Sequence, residues 1–169
     1  MEKVAKFELV SQERFVTDFC DTFAVTPEEA LTIYNKLELP KRATKGSAGY
    51  DILSPLGFSL APNETIKIPT GIRVKIKDGW FLGVFPRSGL GFKYRLQLNN
   101  TVGIIDADYY ESSNEGHIFI KMTNDSNEGM TLSIEQLQGF AQGIFLPFGI
   151  VEDDSCENVR DGGMGSTDK

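Results

Sequence analysis

The sequence predicts an all-β fold, a sandwich or closed barrel of jelly-roll type, with two short helices set into its N-terminal part. From Ala43 onward apolar residues recur with a period near two, and turn signals such as Pro62-Asn63, Asp78-Gly79 and Asn127-Glu128-Gly129 separate the runs. Helix-start signatures occur at Ser11 and Thr26. A chain of 169 residues suits one domain with a proper core, so residues 1–169 are expected to form a single unit.

Taken in order, Val4 to Val10 reads as a first strand. Ser11-Gln12-Glu13-Arg14 and Thr26-Pro27-Glu28-Glu29 then open two helices, over about 12–24 and 27–37. The second start has Thr as cap, Pro at the first helical position and Glu three residues after the cap, so cap and Glu can satisfy each other's backbone N–H groups. Ile66 and Ile68, then Ile72, Val74 and Ile76, then His117 to Met122, and Thr131 to Ile134 mark strands. Val151 to Lys169, with Gly162-Gly163-Met164-Gly165, keeps neither period and reads as a flexible C-terminal arm.

Scarce residues exclude chemistry. One histidine, His117, and two distant cysteines, Cys20 and Cys156, cannot supply a Cys/His zinc site, and two cysteines in a chain of this size are more simply reduced thiols than a disulfide. A catalytic triad would have to rest on His117, which sits in the apolar alternation His117-Ile118-Phe119-Ile120 and reads as a strand side chain. A net charge of −7 disfavours capture of a nucleic-acid polymer, although a local cluster of Arg and backbone N–H groups can still bind a small phosphate. No apolar run reaches the roughly 20 residues of a membrane span and the N-terminus lacks a signal-peptide core, so a cytoplasmic location is expected.

Lys45-Gly46-Ser47-Ala48-Gly49-Tyr50-Asp51 and Pro86-Arg87-Ser88-Gly89-Leu90-Gly91 have the composition of phosphate cradles. Arg and a hydroxyl sit among small residues that let N–H groups approach an anion. A Ser-Gly turn beside an Arg is also an ordinary turn. Asn99-Asn100-Thr101-Val102-Gly103-Ile104-Ile105-Asp106 can form a hairpin whose backbone faces a planar ligand, with Asp106 placed to hold a water or serving as a plain turn carboxylate. Gln142 is the one polar residue in the apolar run Gly139 to Phe145 and requires a hydrogen-bond partner, a ligand being one of several.

In order and spacing, Ala43 to Asp51, Pro86 to Gly91, Gly103 to Tyr109, Ala141-Gln142 and Gly163 to Thr167 resemble the five motifs of the trimeric dUTP diphosphatase (dUTPase) family, over about residues 38–169. The resemblance implies a jelly-roll-like β-barrel of the dUTPase type, with residues 11–37 as a helical insertion and 151–169 as the arm. It implies hydrolysis of dUTP to dUMP and pyrophosphate, with Asp106 as the general base that activates water against the α-phosphate. Arg87, Ser88, Gly89, Gln142, Arg160, Ser166 and Thr167 match phosphate-binding positions. Asn100, Gly103, Ile104, Ile105, Tyr109 and Met164 match the positions that read uracil and deoxyribose, with the Tyr109 ring under the sugar, and Asp51 matches a supporting acid. Mg²⁺, held through the triphosphate and water, and a homotrimer with shared sites are implied as well.

The chain departs from the family pattern in places. Residues 11–37 are extra, either plain packing through Phe15, Phe19, Phe23, Leu31 and Tyr34 or a candidate surface for a protein partner. Glu111-Ser112-Ser113-Asn114 lengthens the loop after Tyr109, making Gly116 a shifted equivalent of the family glycine and leaving any contact of Phe119 open. Met164 stands where the family usually has Phe, the stretch after Arg160 is one residue short, and Gly139 replaces an often basic position. Two other functions compete: a dCTP deaminase of the same fold, and a nucleotide-sensing or partner-binding protein with little turnover. Retention of Asp106 with Arg87 argues against the latter, because a binder needs no positioned base.

Overall fold

The computed structural model describes residues 2–158, in which eleven strands, three α-helices and one 3₁₀ turn follow one another. All strand pairings are antiparallel. Strands β1 (Ala5–Leu9) and β5 (Ile72–Ile76) form one pair, and β3 (Phe58–Leu60) with β10 (Leu132–Ile134) another. A four-stranded sheet runs β2 (Tyr50–Leu53), β11 (Gly139–Pro147), β6 (Trp80–Pro86), β8 (Gly103–Ile105), and a three-stranded sheet runs β4 (Thr65–Pro69), β9 (Phe119–Asn124), β7 (Leu96–Leu98). The fold is thus mostly β with three helices, in four sheets; the described strands do not join into one closed sheet.

One core lies between the sheets, built from alternate residues such as Ile72, Val74 and Ile76 or Ile118, Ile120 and Met122, as the period-two pattern requires. The helices carry a second, smaller core. α1 (Gln12–Thr22) buries Phe15 and Phe19, capped by Ser11, whose hydroxyl accepts from Arg14 N–H. α2 (Pro27–Tyr34) opens with the expected capping box, Thr26 and Glu29 each satisfying the other's backbone N–H. Phe15, Phe19, Phe23 and Tyr34 pack in this second core, whereas Leu31 lines a shallow surface groove with Val16. Both helices are shorter than expected.

Sequence reasoning missed α3 (Ser88–Tyr94). Gly89 and Gly91 disfavour helix, and Arg87 at the cap offers no side-chain bond, so this two-turn helix is held by Leu90 and Tyr94 packing on the core. His117 and Ile118 precede β9 rather than belonging to it, which corrects the strand expected from His117. Among the described residues no helix is long and apolar enough to cross a membrane. Val151 to Glu157 are exposed and lie outside helices and strands. Arg160, Met164, Ser166 and Thr167 lie outside the described residues.

Candidate active site

Three concave surfaces collect the residues singled out from the sequence. The first is a cavity of about 510 Å³ between the four-stranded and three-stranded sheets. Gly103 and Ile105 reach it from β8, Leu98, Asn99 and Asn100 from the end of β7, and Tyr109 and Asn114 from the loop beyond. β8 is short and pairs only with β6, Gly103 opposite Val84, so its other backbone edge is not used by a strand. Ile104 points the opposite way, is half-exposed and is not part of the cavity lining. The Asn99-Asn100 turn is fixed by N–H bonds from Asn99 to Lys121 O and from Thr101 to Leu98 O.

Tyr109 is buried at the cavity wall, 3% exposed. Its hydroxyl donates to the His117 carbonyl at 2.8 Å and accepts from Asn114 Nδ2 at 2.8 Å. Lys67, Asn114 and Lys121 also line this cavity, and motif matching did not find them; Phe119, whose contact the longer loop left open, lines it too. Phe119 and Lys121 lie on β9, whose alternation was legible, but which sheet it faces was not. The Lys67 ammonium sits 4.9 Å above the Phe119 ring.

The second surface is the cradle. Residues of β2, β11 and β6 stand side by side, Asp51 opposite Gln142 and Ala141 opposite Pro86. Arg87 follows β6 and turns back, so that its Nε lies 3.1 Å from Asp51 Oδ1 and its Nη1 donates to the Gly139 carbonyl at 3.4 Å. Gln142 Nε2 donates to Pro86 O at 3.0 Å, which turns its Oε1 toward Gly49. Ser88 and Gly89 are exposed at the start of α3 beside them. Asp51 thus holds a basic side chain. Gly139 lets the guanidinium lie close against β11: a Cβ on it would meet Arg87 Nη1 at 2.9 Å.

Asp106 lies on a third surface. It occupies the residue before the 3₁₀ turn Ala107–Glu111, directly after β8, without a side-chain capping bond, and with Lys75, Asp78, Asp108, Tyr110 and Glu111 lines a cavity of about 480 Å³. The Tyr110 hydroxyl donates to Glu8 there, a bond that holds its proton above the ordinary phenol range. Asp106 and Arg87 thus line different cavities.

His117 does not serve a triad. It is fully buried, its Nδ1 2.6 Å from Asp18 Oδ2 and its Nε2 accepting the Gly71 N–H at 2.8 Å, so both ring nitrogens are occupied. Among the described residues no group of three or more His, Cys, Asp or Glu is placed to hold a metal ion.

The family model for dUTPase matches residues 35–168. The chain belongs to the dUTPase family. It is 40% identical over 144 residues, 82% of this chain and 95% of the relative, to the deoxyuridine 5'-triphosphate nucleotidohydrolase of Lactococcus lactis subsp. lactis. With that of Tolumonas auensis it shares 39% over 143 residues, 80% of this chain and 90% of the relative. Among solved structures it resembles dUTPase from Streptococcus mutans, with a TM-score of 0.62 at 31% identity, covering 86% of this chain and 98% of that one. The dUTPase match begins at residue 35, after the two N-terminal helices.

Proposed function

We propose that the chain hydrolyses dUTP to dUMP and pyrophosphate. The observation that carries this reading is the combination, in a dUTPase-family chain, of a nucleoside-sized cavity edged by the open backbone of β8 and, on the same four-stranded sheet as β8, an Arg87 cradle across β2, β11 and β6. The N–H and C=O groups of Gly103 to Ile105, with Asn100, suit the donor and acceptor edge of uracil, and a deoxyribose rests against Tyr109, where a 2′-hydroxyl has no room.

Asp106 takes a proton from water as that water's oxygen bonds to the α-phosphorus; the bond to the bridging oxygen breaks and pyrophosphate leaves with the electron pair. Arg87, with the Ser88 and Gly89 N–H groups, stabilises the charge moving onto pyrophosphate, and Asp51 keeps the guanidinium aimed. Mg²⁺ fits as an ion that arrives with the triphosphate, since the cradle offers the Gln142 Oε1 acceptor for a metal-bound water and Asp51 is already paired with Arg87. Bound there it neutralises charge on the phosphate oxygens. Arg160, Ser166, Thr167 and Met164 belong to this proposal as a tail that covers phosphates and base.

The active unit is proposed to be a homotrimer on a jelly-roll-like barrel, with residues 11–37 as an insertion. Support comes from the separation of Asp106 from Arg87 within one chain, and from apolar surface left in solvent: Phe92 at 92% exposure, Ile104, Phe148 and Ile150. Pyrophosphate release from dUTP, dCTP, dTTP and UTP with Mg²⁺, for wild type and Asp106→Asn, tests the proposal. We expect dUTP alone to turn over quickly and the variant to lose about 10²- to 10⁴-fold in kcat. Comparable turnover of UTP, or an unimpaired variant, would overturn it.

A further inference from the structure

Loop 114–117 is held from both sides. On the inside, Asn114 Nδ2 donates to the Tyr109 hydroxyl at 2.8 Å, and that hydroxyl donates to the His117 carbonyl at 2.8 Å. Asn114 Oδ1 accepts from Ser112 Oγ and from Gly116 N–H, so both ends of its amide are committed. On the outside the closest side-chain grips come from α1 and its cap, beside the Gly71 N–H that donates to His117 Nε2 at 2.8 Å and the Arg73 guanidinium 3.9 Å from Glu115 Oε2. Ser11 gives its N–H to Glu115 Oε2 at 2.7 Å and its hydroxyl to Oε1 at 2.6 Å, and Asp18 grips His117 Nδ1 at 2.6 Å.

The backbone between these grips is strained. Glu115 has φ 61° and Gly116 φ 69°. The left-handed region is costly for Glu, and such a conformation persists only where its surroundings fix it. Gly116 is needed, because a Cβ there would meet Tyr109 O and Tyr110 Cα at 2.8 Å. The two bonds from Ser11 supply the fixing at Glu115. Phe15, wholly buried, stands 6.3 Å from the His117 ring.

We propose that the N-terminal helical unit sets sugar selectivity, Ser11 and Asp18 acting as positioning residues that hold Tyr109 in the nucleoside cavity through Glu115, His117 and Asn114. The inference rests on reading that cavity as the deoxyuridine site. It gives the segment before the family match a task in the reaction, although neither Ser11 nor Asp18 lines the cavity. A wall residue loosened by a fraction of an ångström no longer excludes an extra hydroxyl, so the effect falls on discrimination between deoxyribose and ribose.

The test uses the full chain as wild type, Asp18→Ala, Asp18→Asn and the double variant Ser11→Ala/Glu115→Gln. The readouts are the ratio of kcat/KM for dUTP to that for UTP, and dUMP affinity by calorimetry. Simple destabilisation lowers the active fraction for both nucleotides alike and leaves the ratio unmoved. We expect Asp18→Ala and the double variant each to lower the ratio by about 3- to 30-fold, the range of coupling through such networks, and to weaken dUMP binding. Asp18→Asn, which keeps an oxygen to accept the His117 Nδ1–H, should stay within about twofold of wild type. If Asp18→Ala does not fold, the double variant, on the exposed flank of the loop, decides alone. Ratios within about twofold of wild type in the folded variants overturn the inference. A wild-type protein that neither binds dUMP nor hydrolyses dUTP overturns instead the reading of the site.

Discussion

Gly139→Ala separates the chemistry of the cradle from the stability of the fold. The added Cβ would lie 2.9 Å from Arg87 Nη1, 3.3 Å from Cδ and 3.4 Å from Cζ. The side chain that must yield is the flexible end of an arginine that is 42% exposed, so the protein relaxes by moving the guanidinium rather than the strand. That movement disturbs the Nη1 bond to the Gly139 carbonyl and the Nε contact with Asp51 together. A hydrogen bond to a charged group is worth about 1.5–3 kcal/mol, and every 1.36 kcal/mol in the transition state is tenfold in rate. Complete loss of one phosphate contact would therefore cost about 10- to 150-fold in kcat/KM. Because a half-exposed guanidinium can partly recover its aim, the lower part of that range is expected, about 10- to 20-fold.

Stability should move the other way. Gly139 opens β11, and replacing glycine with alanine inside a strand is worth roughly 0.5–1 kcal/mol where space allows. The variant is therefore expected to melt at or slightly above the wild-type temperature while turning over dUTP more slowly at low substrate. Scanning calorimetry and pyrophosphate release on the same preparation make the comparison. Unchanged kcat/KM would show that the Arg87 position seen here does not matter to the reaction. A large fall in melting temperature would show that the strand, not the arginine, gives way.

Two further outcomes follow from groups around Tyr109. Tyr109→Phe removes the donor to the His117 carbonyl and the acceptor for Asn114 Nδ2 in a buried setting, so a loss of about 1–3 kcal/mol in denaturant unfolding is expected, and a change below about 0.5 kcal/mol would refute the importance of those bonds. Burial pushes the Glu115 carboxyl up, but the Ser11 hydroxyl and amide, with Arg73 and Arg14, outweigh it and hold the group below its ordinary value of 4.5. A carboxyl depressed in the folded state stabilises fully above its unfolded value and loses that contribution as pH falls through the folded one. Glu115→Gln should thus melt below wild type near neutral pH, with the gap closing below about pH 4; a gap independent of pH would count against the Ser11 anchor.

What the sequence made legible was local. The Thr26 to Glu29 box needs only four residues, and period two finds β5 or β9 from a few side chains. What stayed hidden depends on distant partners. His117 belongs to an apolar alternation, yet its place is decided by Asp18, 99 positions earlier, and by the Gly71 amide. α3 exists against the preference of its own glycines because Leu90 and Tyr94 find a core to pack on. The site residues show the same division. Motif order names Asp51, Arg87, Asn100, Asp106 and Tyr109 by type, since type is what the chemistry selects. Motif order says nothing of facing, and here Asp106 opens on one surface and Arg87 on another. Asn114 carries no motif, the longer loop leaves the contact of Phe119 open, and only the packing of β9 and that loop against Tyr109 brings both to the cavity. A residue whose work is to hold another in place leaves its trace in three dimensions, which is why the helices before the family match reveal their connection to the cavity only once Ser11 is seen on Glu115 and Asp18 on His117.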